Sequence, residues 1–581
     1  MILPANASVN GSGKRAWGLA LLAAVGVVAS AAATQYVALR TGYATGLGSP
    51  LLTVAGVPLY APWKWAEWMA SPWAPYAYQT FARIKIAGVV LLGGTALVLL
   101  LRQTIVRRRP RGHADLHGTA RFATHQEIDR SGLMSATGVH LGGWRDKRRQ
   151  LRTLRHDGPE HVAIIAPTRS GKGVGVIVPT LLTWDASSLV YDEKGELHAL
   201  TAGWQHSIGN TVMRFQPGAA AGSVRFNFLD AVRIGTPFEV ADAQNIALLL
   251  VDRDGKGVDR DHWKSTAYQL LSGLILHVLV TRRGSSLADV AHELSAPGRD
   301  PEDLFEEMAR SGTPFVAMTG QATLCRHPKE RGSVVSTAAI ALELFNDPLI
   351  AGNTKVSDFA IADLMDAERP AALYIVTPGA DKLRLRPLVR LLLATAMRTL
   401  GGAEMRFEGG RPVQVHKHRM LMVLDEFPSL GKLDVIEDAL PKCAGYGIKV
   451  LLAAQDRDQI VGAYGQTESI LANCHLRIAY APNSTATAEW VSKMCGDGTV
   501  VREVLSESGT RLGPLKNVNR SLHESRRPLL TPDEVMRLRM TGADGPGELL
   551  LFAGGLHPIR GEQTPYYLDA ELSRRVALVP A

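Results

Sequence analysis

The chain has 581 residues, of which 46% are hydrophobic and 20% are charged, and this balance excludes wholesale disorder and a pure coiled coil. Its four cysteines form no CxxC pair, which excludes a disulfide scaffold and a zinc finger and favours a reduced compartment for the bulk of the protein. The net charge of +9 is unevenly placed, because residues 102–155 hold 13 Lys and Arg against four Asp and Glu.

Two apolar stretches near the N-terminus predict a transmembrane hairpin. Residues 16–39 form a run of 24 without a charge, and residues 86–101 form a second run of 16; about 20 residues span a bilayer. Lys and Arg flank the outer ends of both runs, which places residues 1–15 and the large C-terminal part in the cytoplasm. The connecting loop 40–85, with four tryptophans suited to a membrane interface, would then lie outside. A signal peptide cleaved after residues 31–33 is the alternative for the first run.

A basic segment, residues 102–155, follows the second apolar run. Its first half, as far as Arg111, is predicted to anchor the membrane topology against anionic lipid. Its second half contains Arg148, Arg149 and Arg152, and two interpretations stay open for them. If they contact DNA, removal of their charge should weaken DNA binding and flatten its salt dependence; otherwise they form a solvated face.

A strand followed by a glycine-rich loop predicts a phosphate site. Residues 161–166 have the pattern of a buried strand, and the segment Ala166-Pro-Thr-Arg-Ser-Gly-Lys-Gly173 leads into an apolar helix start. The backbone amides of such a loop surround a phosphate, the helix N-terminus adds positive potential, and Lys172 adds a point charge. Two positions depart from GxxxxGK[ST], because Ala166 replaces the first glycine and Gly173 replaces the hydroxyl residue that would hold Mg²⁺.

Two later strand ends carry polar residues that such a site needs. An apolar strand from Met420 ends in Asp425-Glu426, where Asp425 would hold Mg²⁺ through water and Glu426 would orient or deprotonate the attacking water. A second strand, from Ile448, ends in Gln455, which can sense the γ-phosphate. An ordinary strand–helix turn is the alternative for the glycine-rich loop alone, and a strand that ends at a helix N-cap is the alternative for Asp425-Glu426. The three motifs in this order indicate a RecA-like NTPase.

The order of predicted elements divides the remaining chain into three parts. Residues 156–237 alternate strands and helices, residues 238–350 show helical periodicity, and strand patterns return within residues 351–581. The predicted fold class is therefore α/β: a RecA-like P-loop NTPase core with an inserted all-α domain, preceded by the transmembrane hairpin. A helical lid without a role in cargo binding is the alternative for residues 238–350.

Further ordered motifs run through nearly the whole chain: Tyr191-Asp-Glu-Lys-Gly-Glu196, Arg225-Phe-Asn-Phe-Leu-Asp230, Ser357-Asp-Phe359, Ala444-Gly-Tyr-Gly447, Tyr480-Ala-Pro-Asn483 and Arg527-Pro-Leu-Leu-Thr531. With them the chain resembles the TraG/VirD-type coupling proteins of type IV secretion and conjugation. In that family the P-loop lysine is commonly followed by glycine, so the resemblance makes Gly173 a family trait.

The resemblance implies a multi-pass protein of the bacterial inner membrane with its bulk in the cytoplasm. Six copies would form a ring around a channel, with ATP and Mg²⁺ as cofactors. The implied partners are single- or double-stranded DNA with its relaxase, secreted effector proteins, or both, together with the inner-membrane components of a type IV secretion channel. The preference for ATP over GTP rests on the resemblance alone.

The predicted catalytic residues are Lys172, Asp425, Glu426 and Gln455. The predicted nucleotide-binding residues are Thr168, Arg169, Ser170, Gly171, Lys172, Gly173 and Val174. Some relatives carry an arginine finger shortly before the strand that ends in the sensor glutamine, but here that place holds only Lys442. The alternatives for a positive group that completes the neighbouring subunit's site are Arg384, Arg386, Arg390 and Arg457.

Three rival functions fit the sequence less well. The main alternative, an FtsK-like membrane-anchored DNA translocase, usually has four spans, a long linker and a small winged-helix end, and none of these is evident. A membrane-anchored AAA-type protease needs HExxH, and His292-Glu-Leu-Ser-Ala lacks the second histidine. A non-catalytic scaffold would not need Lys172, Asp425 and Glu426 together. DNA and protein cargo are both open at this point.

Overall fold

The structure is a computed structural model that describes residues 11–107, 116–402, 406–409, 411–413, 415–508, 517–542 and 545–579. The chain forms two compact units, Met1–Gly112 and His113–Ala581. In both units, buried apolar side chains determine which faces of the helices and strands pack together.

The N-terminal unit is built on two long helices, α1 (Gly11–Arg40) and α3 (Tyr78–Arg107). Between them lie a short hairpin, β1 (Leu52–Val54) with β2 (Val57–Leu59), and helix α2 (Lys64–Met69). Hydrogen bonds hold the connecting segment against α1: among them, Trp65 Nε1 donates to Ser30 Oγ at 2.8 Å and Thr34 Oγ1 donates to Pro62 O at 2.8 Å.

One of the two predicted membrane spans has a counterpart among the described residues. The window Ala23–Arg40 of α1 is long and apolar enough to cross a bilayer. The second apolar run, 86–101, lies within α3, but the side chains of residues 96 and 99–107 fall outside the described part, as do residues 108–115. The two-span hairpin and its basic anchor therefore stay predictions.

The large unit contains one eleven-stranded sheet within the described part of the chain, in the order β4–β3–β17–β16–β13–β5–β12–β11–β6–β8–β7. The strands of this unit, including two small separate pairs, are β3 (Val139–Arg145), β4 (Leu151–His156), β5 (Val162–Ile165), β6 (Ser187–Asp192), β7 (Thr211–Phe215), β8 (Ala371–Val376), β9 (Arg406–Glu408), β10 (Arg411–Val413), β11 (Met420–Leu424), β12 (Ile448–Ala454), β13 (Leu476–Ala479), β14 (Asp497–Ser508), β15 (Asn517–Pro528), β16 (Glu548–Ala553) and β17 (Ile559–Glu562). The strands from β13 to β7 run parallel, and the four beyond β13 pair antiparallel.

Helices cover this sheet and fill the long connection between β7 and β8. They are α4 (His125–Arg130), α5 (Val178–Leu181), α6 (Glu196–Ser207), α7 (Glu239–Val251), α8 (His262–Thr281), α9 (Leu287–Leu294), α10 (Pro301–Ala309), α11 (Pro314–Leu324), α12 (Pro328–Leu342), α13 (Pro348–Asn353), α14 (Asp363–Asp366), α15 (Lys382–Leu400), α16 (Asp434–Cys443), α17 (Arg457–Tyr464), α18 (Ile470–Asn473), α19 (Thr485–Cys495), α20 (Pro532–Met536) and α21 (Ala570–Val576).

The predicted boundary between the basic segment and the nucleotide-binding domain, at residue 156, is corrected by the sheet. Strands β3 and β4 belong to the same sheet as β5, so this sheet begins within the segment 102–155. Most of their apolar side chains are buried, for example Leu141 and Leu154, although Leu151 is exposed. Arg145 pairs with Glu562 of β17 at 2.6 Å. Arg148 and Arg149 are exposed in the turn of this edge hairpin. The many arginines of residues 102–155 obscure the strand pattern of β3 and β4 in the sequence.

The helical segment α7–α14 lies between two neighbouring parallel strands, β7 and β8, as an insertion does. It extends past the predicted end at residue 350, and its core is not separate. Leu271 and Leu274 of α8 belong to the same buried cluster as Ile165 of β5 and Leu189 of β6. The helices of the predicted all-α domain therefore share one continuous hydrophobic core with the sheet and do not form a core of their own.

Two of the sequence motifs tie the ends of the helical segment together. Arg225 Nη2 contacts Asp358 Oδ1 at 2.7 Å, and the backbone N–H of Asn227 donates to Ser357 Oγ at 3.0 Å. The rings of Phe226 and Phe359 are stacked with centroids 5.2 Å apart. These contacts fix where the chain leaves the sheet after β7 and where it returns before β8.

Candidate active site

The three predicted strand-end motifs meet at one edge of the sheet. Strands β5, β12 and β11 are adjacent and parallel, so their carboxyl ends lie side by side. The P-loop follows β5, Gln455 follows β12, and Asp425-Glu426 follows β11. In open α/β sheets, ligands bind at the carboxyl ends of the strands.

The P-loop has the backbone conformation of a tight phosphate-binding turn. Arg169 and Gly171 both adopt positive φ angles, of 60° and 97°. A Cβ atom at position 171 would stand 2.8 Å from Gln563 Oε1, so this position requires glycine for space as well as for its φ angle. Ser170 Oγ donates to Pro167 O at 2.6 Å and thereby closes the loop on itself.

The helix after the loop begins with a wide turn. Residues Gly173–Ile177 are π-helical and run directly into α5, with the N–H of Val178 donating to Gly173 O. Pro179 has no N–H for an ordinary helical bond to Gly175. Turns of this kind are often found at functional sites. The first amides of a helix have no intrahelical acceptor and can bind an anion; in this helix the N–H of Gly175 already donates to Gly171 O at 2.8 Å.

Lys172 contacts both carboxylates of the Asp-Glu motif. Its Nζ lies 3.2 Å from Asp425 Oδ1 and is in closer contact with Glu426 Oε1. Gln455 Nε2 donates to Glu426 Oε2 at 3.2 Å. The structure thus brings all four predicted catalytic side chains together, in a setting where the Lys172 side chain is only 12% exposed.

Burial and charge act in opposite directions on this cluster. Burial raises the pKa of Asp425, and Lys172 counteracts part of that rise while Glu426 adds to it. Burial alone would lower the pKa of Lys172, but Asp425 and Glu426 together hold it above its ordinary value. Lys172 is therefore positively charged and already paired with two carboxylates. A phosphate group replaces these carboxylates only if its own contacts with Lys172 are stronger.

Glu426 itself has a left-handed backbone, with φ of 53°. This conformation is uncommon for a residue with a side chain, and such residues are concentrated at functional sites. It turns the chain sharply from β11 into the short helix Phe427–Leu430, so that the glutamate side chain stays at the sheet edge.

The residues present fit a magnesium ion bound mainly through water and phosphate. Among the described residues, no group of three or more His, Cys, Asp or Glu side chains is placed to hold a metal. The Ser170 hydroxyl is engaged with Pro167 O, and Gly173 offers no side chain. In proteins Mg²⁺ commonly keeps several waters and binds one or two carboxylates together with substrate phosphates. Asp425 can supply such a carboxylate.

Sequence reasoning missed a neighbouring strand tip that supports the site. At the end of β6, Asp192 accepts hydrogen bonds from the N–H groups of Gly195 at 2.9 Å and His198 at 2.8 Å, while burial raises its pKa to about 6. Glu193 pairs with Lys382 of α15 at 2.6 Å. The motif from Tyr191 was visible in the sequence, but nothing there placed β6 beside β11.

Arg390 is wrong as a candidate for completing a neighbouring subunit's site. It is fully buried, and its guanidinium donates to the carbonyl oxygens of Leu430 at 2.8 Å, Lys432 at 2.7 Å and Asp252 at 3.2 Å. It connects two loops inside its own subunit. The burial of Arg390 depends on carbonyl acceptors that are distant from it in the sequence, so the sequence pattern did not reveal it.

The other four cations remain candidates for that role. Arg384 and Arg386, on the first turns of α15, each pair with an aspartate of the helical segment. Lys442 is exposed in the last turn of α16. Arg457 begins α17, directly after the strand tip that carries Gln455.

Comparisons with known proteins agree with one another. A family model for type IV secretory system conjugative DNA transfer matches residues 121–579. The chain is similar to conjugal transfer protein TraG of Escherichia coli, with 42% identity over 94% of this chain and 91% of the relative. It is also similar to protein VirD4 of Agrobacterium fabrum, with 28% identity over 94% of this chain and 77% of the relative.

The fold is shared with a solved structure. Plasmid coupling protein TrwB in complex with ADP and Mg²⁺ superposes with a TM-score of 0.56 at 18% identity, covering 77% of this chain and 94% of that chain. At this level of identity the likeness concerns the fold, and it supports the RecA-like α/β arrangement of the large unit.

Proposed function

The chain belongs to the type IV secretory system conjugative DNA transfer family, and on this premise we propose that it energises transfer by hydrolysing ATP at the site of Lys172, Asp425, Glu426 and Gln455. The family predicted from the ordered motifs is thereby confirmed: the chain is a coupling protein of a type IV secretion system. The FtsK-like alternative has no support among these relatives.

The observation that carries the proposal is the contact of Lys172 in the P-loop with Asp425 and Glu426, the two carboxylates that follow β11. When a nucleotide binds, its γ-phosphate oxygens replace Glu426 as the partner of Lys172. Glu426, still held by Gln455, then orients a water molecule and accepts its proton as the water oxygen attacks the γ-phosphorus. ADP leaves with the electron pair of the broken P–O bond.

Mg²⁺ would be held by Asp425 and would neutralise phosphate charge when bound. Two points support ATP and Mg²⁺ as cofactors of this chain. The first is the cluster of acidic and basic side chains itself, in which the largely buried P-loop cation Lys172 contacts two carboxylates. The second is that TrwB, which shares this fold, has been solved in complex with ADP and Mg²⁺.

We further propose that the protein is anchored in the bacterial inner membrane by α1 and by a second span within α3, and that six copies form a ring. The ring would bring DNA with its relaxase, effector proteins, or both to the inner-membrane part of the secretion channel. The apolar window Ala23–Arg40 and the family membership support this arrangement.

The membrane topology predicts which cysteines react from outside the inner membrane. Of the four cysteines, Cys325 is exposed, whereas Cys443, Cys474 and Cys495 are buried. A thiol reagent that cannot cross the inner membrane should leave Cys325 unlabelled in intact cells and label it after lysis. A Tyr76→Cys variant, in the predicted outer loop where Tyr76 is 94% exposed, should react in intact cells. Labelling of Cys325 in intact cells would contradict the topology.

Mixing two inactive variants tests whether neighbouring subunits share a site. A Lys172→Ala subunit keeps its own Lys442, and a Lys442→Ala subunit keeps its own Lys172. If Lys442 completes the neighbour's site, random mixing restores about a quarter of the interfaces in a cyclic ring, and phosphate release should recover to that extent. The same test applies to Arg384, Arg386 and Arg457.

The matched control for this experiment mixes Lys172→Ala with Asp425→Asn. Both changes fall on the same subunit's half of the site, so no mixed interface is complete and no activity should return. Full turnover by dilute monomers of the wild-type protein would contradict a shared site.

A further inference from the structure

A cavity opens beside the carboxylate of Glu426. Its volume is about 610 Å³, and its walls include Glu426 and Gln455 but no residue of the P-loop. The other walls come from the loop after α7, the first turns of α15, the segment after Phe427–Leu430, and α17. The cavity therefore lies at the tips of β11 and β12, where any occupant contacts residues of the proposed hydrolytic site.

Four cations from three separate segments line this cavity: Lys256, Lys382, Arg386 and Lys432. Two carboxylates, Asp254 and Glu426, also line the cavity, whereas Glu193 and Asp434, which pair with Lys382 and Lys432, do not. Lys432 pairs with Asp434 at 2.7 Å and Arg386 with Asp254 at 3.4 Å, and both aspartates are substantially exposed. Exposed pairs of this kind contribute little and exchange partners easily.

Two of these cationic groups have unused capacity for an anion. Lys256 is exposed and has no ion pair within the described part of the chain. Arg386 Nε is buried and has no hydrogen-bond partner among the described residues. A buried N–H without an acceptor costs free energy, which an acceptor atom inside the cavity would recover.

The cavity walls are held in place by the buried Arg390. Its guanidinium donates to the carbonyl of Asp252, in the loop that carries Lys256, and to the carbonyl of Lys432. Asp252 in turn accepts hydrogen bonds from the N–H groups of Lys256 at 3.0 Å and Gly257 at 3.1 Å. These hydrogen bonds join the loop that carries Lys256 to the loop that carries Lys432 and so hold the two lysines in place.

We infer that this cavity binds a backbone phosphate of the transferred DNA strand and reports its presence to Glu426. Phosphate oxygens suit a set of converging Lys and Arg side chains, and such contacts are independent of base sequence. Family membership in conjugative DNA transfer makes a DNA strand the matching source of that phosphate. A phosphate here also meets the Gln455 amide that holds Glu426, so DNA engagement alters how the carboxylate is positioned.

This inference rests on the proposed function, because it supplies that hydrolytic site with its nucleic-acid partner. The test measures binding of a labelled single-stranded oligonucleotide to the full-length protein in lipid nanodiscs, without nucleotide, over a range of salt concentrations. Lys256→Ala and the double variant Lys256→Ala/Lys432→Ala are compared with Lys493→Ala, a control at an exposed lysine of α19.

For each cation removed, the slope of log affinity against log salt should fall by about 0.7, for all oligonucleotide sequences alike. The Lys493→Ala control should keep the wild-type slope. The stimulation of ATP turnover by DNA should also fall in the double variant. Unchanged DNA affinity and slope in the double variant overturn the inference.

A second arm separates the sources of phosphate. If a mononucleotide or inorganic phosphate occupies the cavity instead, the double variant loses binding of that molecule and keeps its DNA affinity, which also overturns the inference. Absence of ATP turnover in the wild-type protein would overturn the proposed function alone, because the DNA-binding comparison does not use turnover.

Discussion

Replacing Lys172 with alanine should lower the rate of ATP hydrolysis by about 100- to 1,000-fold, the typical cost of losing one group that stabilises transition-state charge. The lysine lies at the P-loop and contacts both carboxylates of the Asp-Glu motif. No other lysine among the described residues forms an ion pair with Asp425 or Glu426. The γ-phosphate would therefore lose its positive contact in this subunit.

The measurement is phosphate release by the purified full-length protein, together with the fraction of protein recovered in membranes. The membrane fraction should be unchanged, because Lys172 belongs to the large unit and not to the apolar window of α1. The control is Lys493→Ala, which should match the wild type in both measurements. Wild-type turnover by the Lys172→Ala protein would contradict the proposed site.

Replacing Glu426 with glutamine should abolish turnover while nucleotide remains bound. An amide cannot accept the proton of the attacking water, and loss of a general base costs about 100- to 10,000-fold. Binding should persist because the P-loop and Lys172 are intact. Removal of one of the two carboxylates that contact Lys172 also leaves this cation more available to phosphate.

The experiment measures both phosphate release and the amount of nucleotide retained per subunit after rapid gel filtration. Retention should exceed that of the wild type, since the bound nucleotide is not hydrolysed. Glu489→Gln, at an exposed glutamate of α19, is the matched control and should behave as the wild type does. Turnover at the wild-type rate in Glu426→Gln would show that another group activates the water.

The sequence was sufficient to predict the meeting of Lys172, Asp425, Glu426 and Gln455. Each residue follows an apolar run of strand length, and the carboxyl ends of parallel strands lie at one edge of a sheet. The local sequence patterns were therefore enough to predict that these side chains lie close together, because each polar residue comes at or just after the end of a strand. The only feature of the strand order that this prediction needed was that β5, β12 and β11 lie next to one another.

Features that depend on contacts distant in sequence could not be predicted in this way. The role of Gln563 against Gly171 requires β17 to lie near the P-loop, and this follows only from antiparallel pairing at the far side of the sheet. The burial of Arg390 depends on carbonyl groups from two remote loops. The shared core of the helical segment depends on packing across the sheet, which helical periodicity does not reveal.

The strand order has a consequence for synthesis on the ribosome. Strand β5, which carries the P-loop, pairs on one side with β12 and on the other with β13, and both are made long after it. The edge hairpin β3–β4 joins the sheet through β17, close to the last described residues. The nascent chain thus holds unpaired apolar strand edges for most of its translation, a condition that slows folding and favours aggregation. Lys172 therefore has no site partners until β11 and β12, which carry Asp425, Glu426 and Gln455, have been synthesised.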